Sequence, residues 1–315
     1  MQVLVRSLTL EAEDIVALEL VARDGSVLPP FTAGAHVDLH LPNRLLRSYS
    51  LANAPGDSGR YVVAVNKDPA SRGGSRYIHE KLRPGELIEI SEPRNNFPLR
   101  EDVDHVVLFA GGIGITPLWC MIQRLEAIGR SWELFYGSRS RAKCAYLQPL
   151  LVLEAAKPGR VHLHFDAECN GAPMDMGRII AGVAPDAHLY CCGPTPMLSA
   201  YEQASATRDP ATVHAEYFSA KSEAALDGGY SVVLTRAGRK LDVAPGKSIL
   251  DALLEAGIEV SYSCMQGVCG ACEVRIIEGE ADHRDSVLTT QEQEAGKTMM
   301  ICCSGSKSAC LVLDL

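Results

Sequence analysis

The chain has 315 residues, a formal net charge of −9, and a composition that is 47% hydrophobic and 22% charged. An acidic balance with no basic stripe argues against a nucleic-acid partner, and the hydrophobic content is enough for two or three folded cores. Acidic residues interrupt the N-terminal segment, and no later segment approaches the roughly 18 apolar residues that cross a bilayer. We therefore expect a soluble cytoplasmic protein without a signal peptide or a membrane contact.

The first hundred residues contain short runs of strand-forming residues separated by breaks rich in Pro and Gly. Six runs predict β-strands: VLVRSLTLE, IVALELVA, HVDLHL, LLRSYSLA, RYVVAVNK and LIEISEP. One short helix fits SRYIHEKL. Many strands at such close spacing predict a small antiparallel β-barrel over residues 1–100.

Residues 101–220 alternate strands with helices, a pattern that predicts a parallel α/β sheet. The strand candidates are HVVLFA, WELFYGS, RVHLHFD and AHLYCC. The segment PLWCMIQRLEAIG has apolar residues at helical spacing. We expect Thr116 to be the N-cap of this helix and Pro117 its first residue.

The C-terminal unit, residues 228–315, combines strands with one clear helix. YSVVLT and KLDVA predict a hairpin, and VRIIEG and LVLDL predict later strands. Ser248 and Asp251 form a capping box before the helix SILDALLEAG, which Gly257 ends. Strands around one helix predict a β-grasp fold. The polar stretch at 219–229 has the composition of a linker, although an ordinary surface loop would look the same.

The chain contains eleven cysteines, an odd number that argues against a disulfide framework. Cys264, Cys269, Cys272 and Cys302 are separated by four, two and twenty-nine residues. This is the plant-type spacing for a 2Fe-2S cluster, because four thiolates complete two tetrahedral irons bridged by sulfide.

Two alternatives to this cluster assignment exist. Zinc sites usually pair two C-x2-C or C-x2-H knuckles, whereas three of these cysteines share one loop. Cys303 could replace Cys302, but adjacent side chains on a strand point opposite ways, and the spacing favours Cys302. Gly267 and Gly270 would let the loop wrap closely, so that backbone N–H groups point at the sulfurs.

Two glycine-rich turns each follow a strand and open a helix. GGIGITP, residues 111–117, has Gly111, Gly112 and Gly114 where a backbone could approach a pyrophosphate. CCGPTPML, residues 191–198, places Cys192, Gly193 and Pro194 at the end of a second strand. Each turn alone could be a plain strand–turn–helix. Together, at the carboxyl edge of a parallel sheet, they predict a nicotinamide nucleotide site.

The predicted barrel carries two short motifs that suit a flavin. RSYS, residues 47–50, offers an arginine for a phosphate, an aromatic ring and two hydroxyls on one strand. RGGS, residues 72–75, precedes a helix and offers N–H groups to a phosphate. By residue type alone, neither motif is specific for a flavin.

In this order the motifs resemble a known family, the phthalate dioxygenase reductase-like or vanillate demethylase reductase-like proteins. The segments that carry the resemblance are RSYSLANAP, RGGS, PRNNFPL, AGGIGITP, YCCGPTPM, SCMQGVCGAC and EADHRDSVLT with ICCSGSKSACLVLDL. They span nearly the whole chain. The resemblance implies an FMN domain at 1–100, an NAD domain at 101–220 and a ferredoxin domain at 228–315.

The resemblance also implies roles for individual residues. The implied flavin contacts are Arg47, Ser48, Tyr49, Ser50, Ala64, Val65, Asn66, Arg72, Gly73, Gly74, Ser75, Thr116 and Phe218. The implied nucleotide contacts are Gly111, Gly112, Gly114, Asp166, Cys192, Gly193 and Pro194. Glu216 would lie with Cys192 near the contact between flavin and nicotinamide. The implied iron ligands are the four cysteines at the plant-type spacing.

The implied activity is that of an NADH-dependent iron–sulfur flavoprotein oxidoreductase. Electrons would pass from NADH through FMN and the 2Fe-2S cluster to a terminal oxygenase of the Rieske type. Ser138, Arg139, Arg141 and Lys143 would suit a 2′-phosphate, but the family mostly uses NADH, so we expect NADH. The alternatives are a free-standing flavin reductase or diaphorase with general acceptors, and a redox sensor that uses the cluster as a switch.

Overall fold

The computed structural model describes residues 1–43 and 45–315 and divides into two compact units, Met1–Phe218 and Ser219–Leu315. The strands of the first unit are β1 (Gln2–Ala12), β2 (Ile15–Ala22), β3 (His36–His40), β4 (Leu46–Ser50), β5 (Tyr61–Asn66), β6 (Leu87–Ile90), β7 (His105–Gly111), β8 (Ser131–Ser138), β9 (Val161–Phe165), β10 (His188–Cys192) and β11 (Val213–Glu216). Its helices are α1 (Gly74–Glu80), α2 (Ile115–Ala127), α3 (Leu147–Ala156), α4 (Met176–Ala181) and α5 (Thr195–Ser205). In the described part of the chain, no helix has the length and apolarity needed to cross a membrane.

The six strands predicted before residue 100 all form, and they make one antiparallel sheet in the order β4-β3-β6-β1-β2-β5. The two strands at the ends of this order are themselves joined. Leu51, just after β4, bridges Val63 of β5, and the Ala52 N–H donates to the Val62 carbonyl at 2.8 Å. Alternate residues such as Leu18 and Leu39 are fully buried, because successive strand side chains point to opposite faces.

The predicted parallel sheet also forms, in the order β11-β10-β7-β8-β9, with every neighbouring pair parallel. Helix α2 packs on β7, β8 and β10 through Leu118, Met121, Ile122 and Leu125, which share one helix face. The carboxyl ends of the five strands therefore lie along one edge.

The predicted start of α2 is wrong. Gly112–Gly114 already form a 3₁₀ turn that continues into the helix, so Gly114 is the N-cap and Thr116 lies within the first turn. The Thr116 hydroxyl donates to the Ile113 carbonyl at 3.1 Å instead of capping an N–H group. The helix begins earlier because Gly112, with a φ of 53°, allows the chain to coil directly after β7.

The second unit contains β12 (Tyr230–Leu234), β13 (Arg239–Val243), α6 (Ile249–Glu255), β14 (Glu273–Glu278), β15 (Ala281–Asp282), α7 (Thr290–Ala295), β16 (Thr298–Met300), β17 (Gly305–Ser306) and β18 (Cys310–Leu313). Its main sheet has the order β13-β12-β18-β14-β16, in which β12 and β18 are parallel. The Ser248–Asp251 capping box is confirmed, and Gly257 follows α6 with a φ of 71°. The sequence interpretation missed α7, although Thr289 and Glu292 form a second capping box at its start.

Candidate cofactor sites

The two glycine-rich turns of the parallel sheet pack directly against each other. A Cβ atom on Gly114 would stand 2.2 Å from the Cys192 carbonyl oxygen. A Cβ on Gly111 would stand 2.5 Å from the Met197 sulfur, and one on Gly193 would stand 3.1 Å from the Gly111 Cα. These three positions therefore need glycine because a side chain would keep the two turns apart. This role differs from the predicted approach to a pyrophosphate.

Gly112 has the space needed for the predicted role, the approach of the backbone to a pyrophosphate. Its φ is 53°, and a Cβ there would meet nothing within 4 Å. The open side of the first turn is therefore at Gly112. Pro194 caps the start of α5, which opens from the same sheet edge. An anion at this edge would meet the N–H groups of a helix start, as in other strand–turn–helix nucleotide sites.

Cys192 and Glu216 lie side by side where the two turns meet. They are direct partners in the parallel pairing of β10 with β11, and Cys192 is completely buried. Burial raises the pKa of the Glu216 carboxyl to about 8, and its Oε2 atom has no hydrogen-bond partner among the described residues. Burial, then the neighbouring Glu216 carboxyl, raises the pKa of the Cys192 thiol. The site thus contains a neutral thiol and a carboxyl with an unused hydrogen-bonding atom.

Asp166 and Phe218 lie at the margins of this arrangement. Asp166 follows β9 at the same carboxyl edge, with its Oδ1 atom 3.6 Å from the His164 Nε2 atom. Phe218, the last residue of the first unit, is 39% exposed, whereas the preceding Tyr217 is buried and donates to Glu202 at 2.6 Å. An exposed phenyl ring that follows an anchored residue is available to a planar ligand.

The RSYS and RGGS motifs lie next to each other in the first unit. A Cβ on Gly74, the first residue of α1, would stand 2.8 Å from the Arg47 Cγ and Nε atoms. Burial, then the positive charge of Arg72, lowers the pKa of the Arg47 guanidinium. Two arginines near a helix start form a place where a phosphate would relieve their repulsion.

The loop before α1 is organised by a residue that the sequence interpretation did not single out. The Ser71 hydroxyl accepts the N–H groups of Gly73 and Arg76 and lies 2.9 Å from the Ser75 hydroxyl. Gly73 has a φ of 102°, which favours glycine. A serine just before a Gly-Gly pair is a signal for such a turn, because its hydroxyl can bond to nearby backbone N–H groups.

The remaining RSYS residues are held in place by hydrogen bonds and by burial. The Ser48 hydroxyl donates to Asp38 at 2.6 Å, and Asp38 forms a 2.6 Å ion pair with Arg94. Burial raises the pKa of Tyr49 to about 12, so its hydroxyl stays protonated. Ser50 is buried. Asp38 and Arg94 were not identified from sequence, because only the fold brings β3 next to residues 91–94.

Strand β5 links this region to the first glycine-rich turn. Ala64 and Val65 are buried, Asn66 is exposed, and the strand contacts the Gly112–Gly114 turn. The His79 ring bonds to the Val65 carbonyl at 2.9 Å, and Thr116 is 2% exposed. The predicted flavin and nucleotide residues therefore lie on neighbouring elements within one compact unit.

In the second unit, backbone N–H groups of the cysteine loop point at its sulfurs, as predicted. The N–H groups of Gln266 and Val268 donate to the Cys264 Sγ atom at 3.3 and 3.5 Å, and the Cys264 N–H donates to the Cys269 Sγ atom at 3.4 Å. Such donors stabilise negative charge on sulfur, which is the form that binds iron. The loop therefore fits a thiolate-bound group.

The fold brings the fourth predicted ligand back to this loop. The hydrogen bond with the Cys269 thiol lowers the pKa of Cys264, but the bond with the Cys302 thiol and burial raise it, and the pKa stays above its ordinary value. Cys272 is buried, and its carbonyl accepts the Ile301 N–H next to Cys302. Within residues 1–43 and 45–315, no three His, Cys, Asp or Glu side chains are grouped so that they could hold a single metal ion. In a two-iron cluster each iron takes two of the four thiolates, so three ligands around one point are not required.

Cys302 and Cys303 do not lie on a strand, contrary to the prediction. Both residues lie in a turn after β16, and the alternation of side chains along a strand does not apply to them. Cys303 instead packs under the loop: a Cβ on Gly267 would stand 2.4 Å from the Cys303 sulfur. The Cys303 sulfur also lies 3.8 Å from the Met300 carbonyl oxygen.

Two family models match the chain. Residues 108–203 match an oxidoreductase NAD-binding domain, and residues 232–307 match a 2Fe-2S iron–sulfur cluster binding domain. The first contains both glycine-rich turns, and the second contains the four predicted iron ligands.

Curated relatives are similar over almost the whole chain. The phenoxybenzoate dioxygenase subunit beta of Ectopseudomonas oleovorans is 52% identical over 96% of this chain and 94% of its own length. The tetrachlorobenzoquinone reductase of Sphingobium chlorophenolicum is 49% identical, covering 99% and 97%. The vanillate O-demethylase oxidoreductase of a Pseudomonas strain (HR199) is 45% identical, covering 100% and 99%.

Solved structures are also similar over the entire chain. An intact type IV self-sufficient cytochrome P450 monooxygenase is 39% identical with a TM-score of 0.90, and the chain spans 41% of its length. Phthalate dioxygenase reductase, described as a modular structure for electron transfer from pyridine nucleotides to 2Fe-2S, is 36% identical with a TM-score of 0.74, and 98% of its length is covered. The chain belongs to the phthalate dioxygenase reductase-like family of iron–sulfur oxidoreductases, which includes the vanillate demethylase reductases and other reductase components of oxygenase systems, as its motifs predicted.

Proposed function

We propose that this chain is the NADH-dependent reductase component of a multicomponent, Rieske-type oxygenase. One observation carries the proposal. A single chain has a pair of packed glycine turns at the edge of a parallel sheet, and a cysteine loop whose N–H groups donate to sulfur. The first feature suits a two-electron nucleotide donor, and the second suits a one-electron centre. A flavin is the group that connects such partners.

We propose three domains: an FMN-binding β-barrel at 1–100, an NAD-binding α/β domain at 101–220 and a β-grasp ferredoxin domain at 228–315. The Leu51–Val63 bridge between the end strands of the first sheet supports a closed barrel. The parallel pairing of β12 with β18 and the packing of α6 on β13 support a β-grasp unit.

The flavin site follows from the neighbouring motifs of the first sheet. Arg47 and Arg72, with the N–H groups at the start of α1, would hold the FMN phosphate. Tyr49 and Ser50 would contact the ring system, together with the strand Ala64–Asn66. Thr116 and Phe218 would lie against the ring from the parallel-sheet side. When bound, FMN accepts electrons in pairs and releases them singly.

The nucleotide would enter across the open side of the first glycine turn. Gly112 and the start of α5 would contact the pyrophosphate, and Asp166 would lie on the adenosine side. Cys192 and Glu216 would border the nicotinamide. Their raised pKa values keep both groups uncharged near neutral pH, so they orient the ring and exclude water without repelling the donor. No side chain is needed as an acid or base for hydride transfer.

In the ferredoxin domain, Cys264, Cys269, Cys272 and Cys302 would hold the cluster. The N–H groups of Gln266 and Val268 would remain on the Cys264 sulfur and stabilise the additional negative charge after reduction. The acceptor that then takes the electron is, in our proposal, a terminal oxygenase protein. The relatives named for phenoxybenzoate, vanillate and toluene-4-sulfonate support an aromatic substrate for that partner.

The decisive experiment is an anaerobic titration of the purified protein with NADH, followed by absorption and electron paramagnetic resonance. We expect flavin bleaching and then one spin per chain, with two irons and two labile sulfides per chain by chemical assay. Cys264→Ser should abolish cytochrome c reduction and retain bleaching of the flavin by NADH. If both reactions survive this substitution, the cluster lies outside the electron path.

The tetrachlorobenzoquinone reductase relative favours a second candidate, a reductase with small-molecule acceptors such as quinones. The two candidates share cofactors and differ only in acceptor. Quinone reduction that is retained in Cys264→Ser, with electrons leaving directly from the flavin, would support the second candidate. Quinone reduction that is lost together with cytochrome c reduction would support the first.

A further inference from the structure

An ion pair joins the turn after β8 to the turn after β9, at the β9 end of the parallel sheet. Arg141, in the turn after β8, contacts Glu168, in the turn after β9, through two bonds: Nε to Oε1 at 2.6 Å and Nη2 to Oε2 at 3.2 Å. The Arg141 guanidinium also lies 4.5 Å above the Phe165 ring. Two bonds and a ring contact hold this arginine in one orientation, directed toward β9.

These turns lie at the nucleotide-binding edge of the sheet. Strands β8 and β9 are parallel, with Ser138 opposite Phe165, and the Ala167 N–H donates to the Arg139 carbonyl at 3.1 Å. In open α/β sheets, ligands bind outside the carboxyl ends of the strands. The packed glycine turns end β7 and β10, so the β8 and β9 turns lie on one side of them, where the adenosine end of a dinucleotide would extend.

Two of the three positive side chains of this region are engaged by acidic groups of the protein, and the third, Arg139, is exposed. Lys143 lies 2.8 Å from Asp14 and 3.6 Å from Glu13, and Arg141 is held by Glu168. A 2′-phosphate needs an arginine or lysine that is free to approach it, and it is repelled by carboxylates. Arg141 and Lys143, which could bind a 2′-phosphate, are therefore already paired with carboxylates of the protein.

We propose that Glu168 determines which nicotinamide dinucleotide this reductase uses, by holding Arg141 away from the ribose and opposing a 2′-phosphate. The inference rests on the proposed function, because it assumes that the nucleotide binds at this edge. Glu168 acts through charge and through the position of Arg141. Its loss should weaken discrimination against NADPH with little change in the use of NADH.

The test uses the full-length protein and two half-exposed side chains, whose replacement leaves the cores intact. Binding of 2′-phospho-AMP and of AMP is measured by calorimetry in wild type, Glu168→Gln and Arg141→Gln. We expect Glu168→Gln to bind 2′-phospho-AMP about tenfold more tightly, because it removes a carboxylate that repels the phosphate and releases Arg141. Arg141→Gln should bind it several-fold more weakly, because the Glu168 carboxylate then loses the positive charge that offsets it. AMP affinity should change by less than about twofold.

Glu101→Gln is the matched control, because Glu101 and Arg124 also form a bidentate pair, at 2.8 and 2.7 Å, on the same unit and away from the β8 and β9 turns. It should leave both affinities unchanged. The ratio of kcat/KM for NADPH over NADH, measured by cytochrome c reduction, should rise in Glu168→Gln in parallel with the binding data.

The outcomes separate the two proposals. If AMP and 2′-phospho-AMP bind to all variants with unchanged ratios, Glu168 has no role in specificity, while the nucleotide site stands. If neither compound binds to the wild type, the nucleotide site is misplaced and the inference falls with the proposed function. An equal gain in 2′-phospho-AMP affinity in Glu101→Gln would show that the effect comes from the net charge of the protein. That result would also overturn the role of Glu168.

Discussion

Gly114 lies directly against the carbonyl group of Cys192, 78 residues away in the sequence: a Cβ at Gly114 would stand 2.2 Å from the Cys192 oxygen and 2.8 Å from the Gly193 nitrogen. Its φ of −62° is ordinary, so glycine is needed there for space alone. The contact places two strand ends and two helix starts around one point. It is the tertiary feature on which the proposed nicotinamide site depends.

Gly114→Ala should therefore separate the two turns. We expect the free energy of unfolding to fall by about 1–3 kcal/mol, as for other overpacked sites, and NADH-dependent reduction of the flavin to be impaired while FMN remains bound. Gly56→Ala is the control, because Gly56 has no positive φ and nothing lies within 4 Å of an added Cβ. Denaturant unfolding and stopped-flow reduction measure the two effects. Equal behaviour of the two variants would show that the turns have room for a methyl group.

Gly267→Ala should prevent stable assembly of the cluster. The added Cβ would lie 2.4 Å from the Cys303 sulfur, and the backbone φ is 69°. Gly257 has a similar φ of 71° with open space around it, so Gly257→Ala carries the backbone strain alone, about 1–2 kcal/mol. Iron and labile sulfide per chain should drop in the first variant and stay near two in the second.

A second change tests the cause of this loss. Cys303→Ala removes the sulfur that the new methyl group would meet, so the double variant Gly267→Ala/Cys303→Ala should regain part of the cluster content. Cys303→Ala alone should keep the cluster, because Cys302 is the proposed ligand. Loss of the cluster in Cys303→Ala would mean that the fourth ligand has been assigned to the wrong cysteine.

The stability of the first unit should fall in acid because of His214. This ring stacks on Tyr190 at 4.3 Å and bonds to His188 at 3.0 Å. Burial, then the charges of His188 and Arg100, lowers its pKa to about 4 from an ordinary 6.5. The folded state favours the neutral ring, so this contribution is complete above pH 6.5 and is lost as the pH falls toward 4, by about 2–3 kcal/mol.

His214→Phe retains an aromatic ring on Tyr190 and removes the titration. Its free energy of unfolding should therefore depend less on pH between 6.5 and 4 than that of the wild type. Denaturant unfolding at several pH values measures the slope. An identical slope in both proteins would assign the acid sensitivity to other groups, of which His36, with its pKa also lowered to about 4, is the first to examine.

Glu216 should affect stability in the opposite direction. Burial raises its pKa from an ordinary 4.5 to about 8, so the folded state favours the protonated carboxyl, and stability is lost as the pH rises from 4.5 through 8. Glu216→Gln is uncharged at every pH. We expect its free energy of unfolding to exceed that of the wild type by about 1–3 kcal/mol at pH 8.5 and to equal it near pH 4.5. A gain of the same size at both pH values would point to packing as its cause.

Local signals predicted most of the secondary structure and the cluster ligands. The six strands before residue 100, four of the five parallel strands and the capping box of α6 depend on neighbours in sequence, which a pattern can reveal. The cysteine spacing works in the same way, because three of the proposed ligands share one loop. The start of α2 was misplaced because a glycine turn that coils into a helix has the same pattern as one that precedes it.

The amino-acid sequence by itself determined which elements form, the family, and the residue types available for a flavin, a nucleotide and a cluster. Only the tertiary structure decided which of them meet: Gly114 with Cys192, Arg141 with Glu168, and Cys303 with Gly267. Each of these pairs is far apart in the chain, and each contact depends on strand order and on how closely two backbones pack. Periodicity and spacing report interactions within a few residues, whereas packing between distant segments is fixed only once the whole core has closed.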